Sequence, residues 1–321
     1  MLATKSATIA RRNASKTIAR RAPRNALADA PPRQDVYAEV TATIIRQLEA
    51  GRLPWVQPWA ANASTGSMMP HNASTGRAYS GVNVLLLWSA QMEAGYSSAA
   101  WMTFNQAREL GGCVRKGSKG RMIVYADRFT PASEKERAVK EGDEAQSRFF
   151  LKRHTVFNVA QIDGLPDRFS VEPELVGERQ QIEAAERLIE ASGVEFRIGG
   201  DKAYYVPALD FVQVPDQRRF ADQVNFYRTV CHELCHATGH KSRLDRNLLT
   251  IDGLKDRARE ELVAEMGSAF VCASLTIVPT VRHADYIGSW LEVLKNDNRA
   301  IFKAASAASK AADWLLSRVE G

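Results

Sequence analysis

The sequence predicts an α+β protein of two domains, and three observations lead to this prediction. A chain of 321 residues with 45% apolar residues exceeds the usual size of one domain. Helix-like and strand-like patterns follow one another without the regular alternation of a parallel α/β sheet. A turn-rich stretch near the middle, Gly164-Leu-Pro-Asp followed by Pro173 and Gly177, is typical of a linker.

These observations divide the chain into four segments. Residues 1–34 are predicted to be a disordered basic arm, 35–163 the first domain, 164–177 the linker and 178–321 the second domain. The arm contains eight Lys or Arg and one acid, so the remainder of this chain of net charge +6 is close to neutral. Its lack of an apolar face favours disorder. Its composition also resembles an organelle transit peptide, which is the less favoured alternative.

Helices and strands are predicted in order along both domains. Residues 35–50 have apolar side chains on one helical face and Gly51 at the end. The other elements predicted in the first domain are helices at 83–95 and 104–110 and strands at 121–129 and 147–159, the strands separated by a charged segment at 132–146. Those predicted in the second domain are a helix at 178–192, strands at 194–198, 202–206 and 210–214, and helices at 221–238 and 257–275.

The strongest functional signal is the sequence Cys231-His-Glu-Leu-Cys-His-Ala-Thr-Gly239. His232 and His236 are four residues apart, so on a helix both imidazoles lie on one face and can bind one tetrahedral zinc ion. Glu233 lies beside them and is the predicted catalytic base. A chance HExxH is on the order of one in a hundred for a chain of this length, so the motif needs a third ligand.

Glu261 is the predicted third metal ligand. It follows His236 by 25 residues in the predicted helix 257–275. Two histidines and one glutamate, with a fourth position left to water, form the ligand set of thermolysin-type zinc sites. Glu265, one turn further along the same face, is expected to orient a histidine rather than to bind the metal.

Two neighbours are weighed as rival ligands. Glu260 also has a carboxylate, but a helix presents only one of positions 260 and 261 to the metal. His240 follows the motif closely, yet a metzincin-type third histidine would stand three residues after Gly239, where the chain has Ser242. His240 is therefore interpreted as a surface residue or as a residue that supports a ligand.

Peptide hydrolysis would require further residues around the metal, to bind the peptide and to stabilise the oxyanion. Strand 210–214, bounded by prolines, is interpreted as an edge strand along which an extended peptide can lie. Tyr204 and Tyr205 are candidate oxyanion donors, with a core position as the alternative for each. The competing interpretations of the histidine pair are a purely structural metal and a core helix without metal.

The first domain lacks the spacing of a metal site, a nucleophile or a phosphate loop, and its charge indicates nucleic-acid binding. The segment Val114-Arg-Lys-Gly-Ser-Lys-Gly-Arg121 is a basic turn that can follow a phosphate backbone. Its cations are Arg115, Lys116, Lys119 and Arg121. Trp55 and Trp59 are the candidate rings for base stacking, which holds single strands without sequence preference. The alternative is a solvated turn with the rings in the core.

Cysteine usage and hydropathy predict the compartment. The four cysteines contain no CxxC pair, which argues for reduced thiols. Cys231 and Cys235 point roughly 100° away from the histidines on a helix and are expected to fill the core. No apolar stretch approaches the roughly 20 residues of a membrane span. We therefore expect a cytoplasmic protein without a membrane partner.

Several motifs in a fixed order resemble those of the ArdC-type antirestriction proteins of conjugative plasmids, whose amino-terminal domain also occurs in TraC-type plasmid primases. The motifs are PWVQPW at 54–59, TGRAYSGVNVLLLW at 75–88, TFNQARELGGCVRKGSKG at 103–120, FNVAQIDGLP at 157–166, CHELCHATGHKSRLDR at 231–246 and EELVAE at 260–265. The resemblance implies a first domain that binds single-stranded DNA and a zincin-like metallopeptidase domain. It also implies protection of incoming plasmid DNA from restriction.

We therefore expect an antirestriction-type protein that binds single-stranded DNA and has a Zn²⁺ site. Three functions from different classes stay open: a zinc protease that acts on DNA-bound host proteins, a DNA-binding protein whose metal is structural, and a plain peptidase with incidental basicity. The sequence leaves peptide turnover undecided among them.

Overall fold

The computed structural model describes residues 35–56, 68–141, 148–169, 177–248, 253–278 and 286–319. The predicted arm at 1–34, Trp59 and residues 170–176 of the predicted linker lie outside the described residues. The helices are α1 Val36–Glu49, α2 Val82–Ala94, α3 Phe104–Glu109, α4 Ala132–Glu141, α5 Glu178–Ser192, α6 Gln223–Ala237, α7 Gly253–Ser274, α8 Ile287–Asn296 and α9 Ala300–Leu316. The strands are β1 His71–Asn72, β2 Ala100–Thr103, β3 Cys113–Val114, β4 Arg121–Phe129, β5 Arg148–Asn158, β6 Ile162–Asp163, β7 Glu195–Ile198, β8 Tyr204–Val206 and β9 Phe211–Val214.

The α+β class is confirmed, and most predicted elements occur within a few residues of their expected bounds. β4 and α5 begin and end at the predicted residues. α7 begins at Gly253, four residues earlier than predicted. α4 occupies part of the charged segment between β4 and β5. The short strands β1, β2, β3 and β6 escaped prediction, because two to four residues are too few to show an alternating pattern.

Three sheets organise the described strands. The first has the order β1-β2-β5-β4, in which β4 and β5 form a long antiparallel hairpin paired from Arg121–Val156 to Phe129–Arg148. β3 and β6 form a two-stranded ribbon. The third sheet has the order β7-β9-β8, with β7 parallel and β8 antiparallel to β9.

The third sheet corrects one prediction. β9 was expected to be an edge strand, but it lies in the centre and pairs on both sides. Phe211, Val212 and Val214 are all buried, as is typical of a strand that is covered on both faces. The edge strands of this sheet are β7 and β8.

Helices of the carboxy-terminal half pack around α7. This helix contacts α6, α8 and α9, and the buried alanines of α9 allow close approach. The amino-terminal half joins the same core, since Trp88 of α2 packs edge-to-face on Phe270 of α7 with ring centroids 5.6 Å apart. Trp55 packs in the same way on Trp290 of α8, at 5.5 Å.

All the described residues belong to one compact unit that runs from Asp35 to Gly321. Apolar side chains from both sides of 164–177 form one continuous cluster, and the domain boundary there stays a prediction. No helix in the described ranges is long and apolar enough to cross a membrane.

Candidate metal centre

α6 presents the two histidines of the HExxH motif on one face. Asp222 caps the start of the helix, and its carboxylate accepts a hydrogen bond from the backbone N–H of Val224 at 2.9 Å. The helix ends at Ala237, one residue after His236. The Nε2 atoms of His232 and His236 lie 3.2 Å apart, with the rings edge-to-face. One helical turn therefore brings two nitrogen ligands to the same point.

α7 crosses α6 closely enough to add a carboxylate. A Cβ atom at Gly267 would lie 3.0 Å from the Sγ atom of Cys235, so the small residue permits close contact between the helices. Glu261, six residues earlier on α7, lies near both histidines. Its Oε2 atom lies 3.4 Å from Nε2 of His232 and 3.7 Å from Nε2 of His236.

The three ligand atoms fit a tetrahedral cation. Ligand atoms about 2.0–2.2 Å from a tetrahedral ion are separated from one another by roughly 3.3–3.6 Å. The separations of 3.2, 3.4 and 3.7 Å among the three atoms bracket this range. His232, His236 and Glu261 also form the group of metal-binding side chains that converges in the described part of the chain. The predicted set of three residues is thus brought together.

Glu260 orients His236 instead of competing for the metal. Its Oε1 atom lies 3.2 Å from Nδ1 of His236, the ring nitrogen that faces away from the cluster. Arg246 donates to both oxygens of Glu260, at 2.7 and 3.1 Å, and also to the backbone carbonyl of Cys235 at 2.7 Å. A histidine ligand is held in this way by a carboxylate on its other nitrogen. Sequence reasoning had treated Glu260 only as a rival and had missed Arg246.

Gly239 allows Arg246 to reach this position. A Cβ atom at Gly239 would lie 2.9 Å from the Arg246 guanidinium and 2.9 Å from Leu248. The cation crosses the end of α6, where helix carbonyls favour positive charge. A glycine at position 239 therefore has a structural reason, which is the close approach of Arg246 and Leu248.

Glu265 lies near the other histidine. Its Oε1 atom is 3.9 Å from Nδ1 of His232, and both side chains are almost fully buried. The distance exceeds that of a hydrogen bond, and the orienting role of Glu265 stays a prediction.

The cluster strongly favours positive charge. Burial disfavours a charged imidazole at His236, but the hydrogen bond to Glu260 and the nearby carboxylate of Glu261 outweigh burial and raise its pKa to about 10. Burial also disfavours the Glu261 carboxylate, yet the nearby imidazoles of His232 and His236 outweigh this effect and lower its pKa. A proton and a metal cation therefore compete for binding to this group of side chains.

The ligands open onto a cleft of about 400 Å³. Glu233 is 5% exposed and borders it beside the two histidines. The cleft is lined by Ala203, Tyr204, Tyr205, Pro207, His232, Glu233, His236, Leu248, Arg257, Glu260 and Glu261. Residues of the edge strand β8 thus line the same cleft as the candidate metal ligands, whereas the lining contains no residue of the central strand β9 among those described.

The two tyrosines of β8 differ in their surroundings. The Tyr205 hydroxyl donates to Oδ1 of Asp210 at 2.8 Å and accepts from Arg243 at 3.3 Å. Burial and the hydrogen bond to Asp210 raise the Tyr205 pKa. Tyr204 is 39% exposed at the cleft. Between the two predicted oxyanion donors, Tyr204 is therefore the more accessible.

His240 and the motif cysteines lie outside the cluster of ligand atoms. His240 Nδ1 contacts Ser242 Oγ at 2.7 Å and Asp210 Oδ2 at 3.5 Å. Cys231 and Cys235 are buried behind the metal face of α6, as predicted. All four cysteines are free thiols.

The predicted basic turn lies between β3 and β4 and borders a second, open cleft of about 460 Å³. Lys116 and Lys119 are exposed and form no ion pair with described residues. Arg115 forms an ion pair with Asp163 at 2.9 Å and donates a hydrogen bond to the Ala160 carbonyl. Arg121 pairs with Glu93 at 3.3 Å. The two lysines are thus the cations of the turn that remain available to a ligand.

The structure changes the predicted stacking rings. Trp55 is fully buried against Trp290, so its ring cannot stack on a base. Tyr96 borders the basic cleft together with Lys116 and Lys119. Phe104, eight residues after Tyr96 at the start of α3, is 51% exposed. Tyr96 gave no signal in the sequence, because its distance from the turn depends on tertiary contacts.

Two family descriptions match separate parts of the chain. Residues 34–157 match the N-terminal domain of anti-restriction factor ArdC. Residues 183–307 match a zincin-like metallopeptidase. A zincin-like domain implies a bound metal, in agreement with the three converging ligands.

Relatives match over most of the chain. Protein y4eC of Sinorhizobium fredii (strain NBRC 101917 / NGR234) is 41% identical over 88% of this chain and 91% of its own length. A DNA primase TraC of Escherichia coli is 37% identical over 89% of this chain but only 27% of the primase. The crystal structures of the antirestriction protein ArdC from plasmid R388, metal-free and Mn(II)-bound, are 39% and 40% identical, with TM-scores of 0.75 and 0.73. Each match covers 89% of this chain and 98% of the ArdC chain.

Proposed function

The chain belongs to the family of ArdC-type antirestriction proteins, and from this premise we propose that it binds single-stranded DNA and cleaves peptide bonds at a Zn²⁺ site. The observation that carries the peptidase proposal is the convergence of His232, His236 and Glu261 beside Glu233 in one cleft. Protection of transferred plasmid DNA is the biological outcome that we propose.

His232, His236 and Glu261 would hold the cation. A bound divalent cation supplies Lewis acidity at a peptide carbonyl and makes water easier to deprotonate. Glu233 takes a proton from the attacking water and delivers it to the leaving amine. Glu260 and Arg246 keep the His236 ring in place throughout.

β8 supports an extended peptide beside these groups. It is an edge strand, so its outer backbone groups can pair with a peptide strand. Tyr204 on the same strand is placed at the cleft to donate to a developing oxyanion. The hydrogen bonds of Tyr205 to Asp210 and Arg243 hold the strand in position.

Single-stranded DNA would bind along the basic turn. Lys116 and Lys119 offer free ammonium groups to phosphates, and Tyr96 offers a ring to a base. Arg115 and Arg121 support the turn through their bonds to Asp163 and Glu93. We also propose the boundary between the two functional parts at 164–177, which lies between the two matched family segments.

Two alternative functions make different demands on the two sites. A DNA-binding protein with a structural metal would need the same ligands but no use for Glu233. A protease that acts on DNA-bound host proteins would need both sites at once. The buried carboxylate of Glu233 beside the ligands favours turnover, because an acid in that position has little packing value.

The Glu233→Gln variant of the full chain tests the proposal. We expect it to retain one metal ion per chain and normal affinity for an oligonucleotide. We expect peptide cleavage to fall by roughly 10²- to 10⁴-fold, because the base is lost while the ligands remain. Metal content, oligonucleotide affinity and cleavage of DNA-bound protein are measured on the same preparation.

The His232→Ala variant is the matched control, since it should lose both metal and cleavage. Equal protection of transferred DNA by wild type and Glu233→Gln would separate protection from peptide cleavage. Such a result would favour the alternative in which the metal is structural.

A further inference from the structure

Arg257 is a cation at the cleft of the candidate metal ligands that pairs with no acid in the described part of the chain. Arg257 borders the cleft with the ligands and is the only Lys or Arg among its described lining residues. The side chain is exposed and forms no ion pair with any described residue. By contrast, Arg246 behind the cluster is bound to Glu260. The Arg257 guanidinium is therefore available to a ligand.

The position of Arg257 on α7 places it at the same cleft as the ligand cluster. It precedes Glu261 by four residues, so the two side chains share one helical face about 6 Å apart along the axis. Burial raises the pKa of Tyr286, and the charge of Glu261 raises it further while that of Arg257 lowers it. The pKa of Tyr286, the residue before α8, therefore depends on the charges of both groups.

We propose that Arg257 is a specificity-determining residue that binds a carboxylate of the substrate next to the bond held at the ligand cluster. This inference rests on the proposed peptidase function and names its preferred substrate class. The carboxylate belongs either to an acidic side chain or to a free carboxyl terminus. An arginine offers two parallel N–H groups to either one.

The charges in the cleft favour a single carboxylate over a nucleic acid. Glu233, Glu260 and Glu261 border the same space as Arg257. Three acidic groups repel a polyanion along its length, whereas one carboxylate can face the guanidinium alone. The free lysines of the basic turn suit a phosphate chain better.

A pair of small metal-binding probes tests the proposal without turnover. Glutaric acid monohydroxamate and its terminal amide analogue differ only in the carboxylate, and the hydroxamate of each binds the metal. Their affinities for the metal-loaded full chain are measured by titration calorimetry. We expect the acid to bind wild type about fivefold to tenfold more tightly than the amide, as a charge-assisted hydrogen bond requires.

Arg257→Gln should abolish this preference and leave the affinity for the amide unchanged. Arg259→Gln is the matched control, because Arg259 lies on the same helix and pairs with Asp256 at 2.8 Å. It should retain the preference for the acid. Equal binding of acid and amide by wild type would overturn the proposal. So would a preference that survives in Arg257→Gln, or failure of both probes to bind a fully metal-loaded chain.

Peptides then distinguish the two sources of carboxylate. Binding to Glu233→Gln is compared for peptides with internal Glu or Gln and with free or amidated termini. The same comparison is then made in the double variant Glu233→Gln/Arg257→Gln. If the difference in affinity between Glu and Gln peptides disappears, the carboxylate is an acidic side chain. If the difference between free and amidated termini disappears, it is the carboxyl terminus. A loss of oligonucleotide affinity in Arg257→Gln, with the acid preference intact, would assign Arg257 to DNA and overturn the proposal. Carboxylate-selective binding without peptide cleavage would end the proposed peptidase function and leave this inference standing.

Discussion

Glu260 and Glu261 are neighbours in the chain, yet they contact different nitrogens of the histidine pair. Glu261 lies near the Nε2 atoms of both histidines, whereas Glu260 bonds to Nδ1 of His236. A helix turns by about 100° per residue, so adjacent side chains approach the α6 face from different sides. The metal ligand and the group that orients another ligand thus come from consecutive residues.

The Glu260→Gln variant should bind metal more weakly without losing the site. Removal of the charge that orients His236 is expected to lower zinc affinity by roughly 10- to 100-fold. Glu261→Ala should abolish stoichiometric binding, because a ligand is lost. Zinc affinity is measured by competition with a chromogenic chelator. Glu190→Gln on the exposed face of α5 is the control. If Glu260→Gln bound zinc as tightly as this control does, the orienting role of Glu260 would be contradicted.

The β8–β9 connection is attached to the segment after α6. Arg243 donates to both carboxylate oxygens of Asp210 and to the carbonyl of Ala237, and Tyr205 joins the same group. Asp210 itself has a left-handed backbone, with φ of 55°. These contacts hold the edge strand of the cleft beside the end of the metal helix.

This attachment predicts a dependence of stability on pH. Burial acts to raise the Asp210 pKa, but hydrogen bonds from Arg243 and Tyr205 outweigh it and lower the pKa. A carboxyl whose pKa is depressed by folding stabilises the fold above its unfolded pKa, and that contribution is lost as pH falls through the folded value. Wild type should therefore lose more stability than Asp210→Asn between about pH 7 and about pH 3.

Urea unfolding at the two pH values measures this difference. Asparagine tolerates the left-handed backbone, so the substitution changes mainly the charge. Asp245→Asn is the matched control, because Asp245 is exposed and also has a positive φ, of 46°. Identical pH dependence of wild type and Asp210→Asn would rule out the linkage.

The basic turn between β3 and β4 makes a prediction for nucleic acid. The Lys116→Ala/Lys119→Ala variant should bind an oligonucleotide more weakly and with less dependence on salt. Loss of two phosphate contacts should reduce the slope of log affinity against log salt by about 1.4 for a single strand. Fluorescence anisotropy across a salt series measures this slope.

The control for the turn is Lys241→Ala/Lys255→Ala, which removes the same charge elsewhere. An equal loss of affinity in both double variants would mean that net charge, rather than the turn, sets the binding. Tyr96→Ala in the same assay tests the stacking ring, and it should weaken binding without a change in salt slope.

The two halves of the described unit share one hydrophobic core. Trp88 of α2 packs on Phe270 of α7 and donates its indole N–H to the Met68 carbonyl at 2.9 Å. The backbone N–H of Gly81 donates to Ser309 Oγ of α9 at 2.8 Å. α7 also contains Glu261, so the amino-terminal half and the candidate metal ligands are joined through one helix.

The Trp88→Ala variant should lower the stability of the whole described unit. Loss of a fully buried indole costs about 3–5 kcal/mol. We expect a single thermal transition at lower temperature, seen alike by circular dichroism and by release of bound metal. Trp314→Ala on α9 is the control, because Trp314 is only partly buried and should cost less. Two transitions, with only one of them shifted, would show that the halves unfold independently.

Local spacing was sufficient to predict which residues meet at the candidate site and where most helices lie. The four-residue separation of His232 and His236 and the acidic helix that follows them predicted which residues could meet, because helical periodicity places them on defined faces. The bounds of α5 and β4 followed from periodicity in the same way. These features depend on residues that are close in sequence.

Tertiary contacts decided the features that depend on distant segments. Trp55 became a core residue because α8 covers it, and β9 became central because β7 and β8 pair on both of its sides. Arg246 meets Glu260, and Arg257 borders the cleft, only because α7 crosses α6 at Gly267. Burial and pairing are set by packing between distant parts of the chain, and no local pattern encodes them.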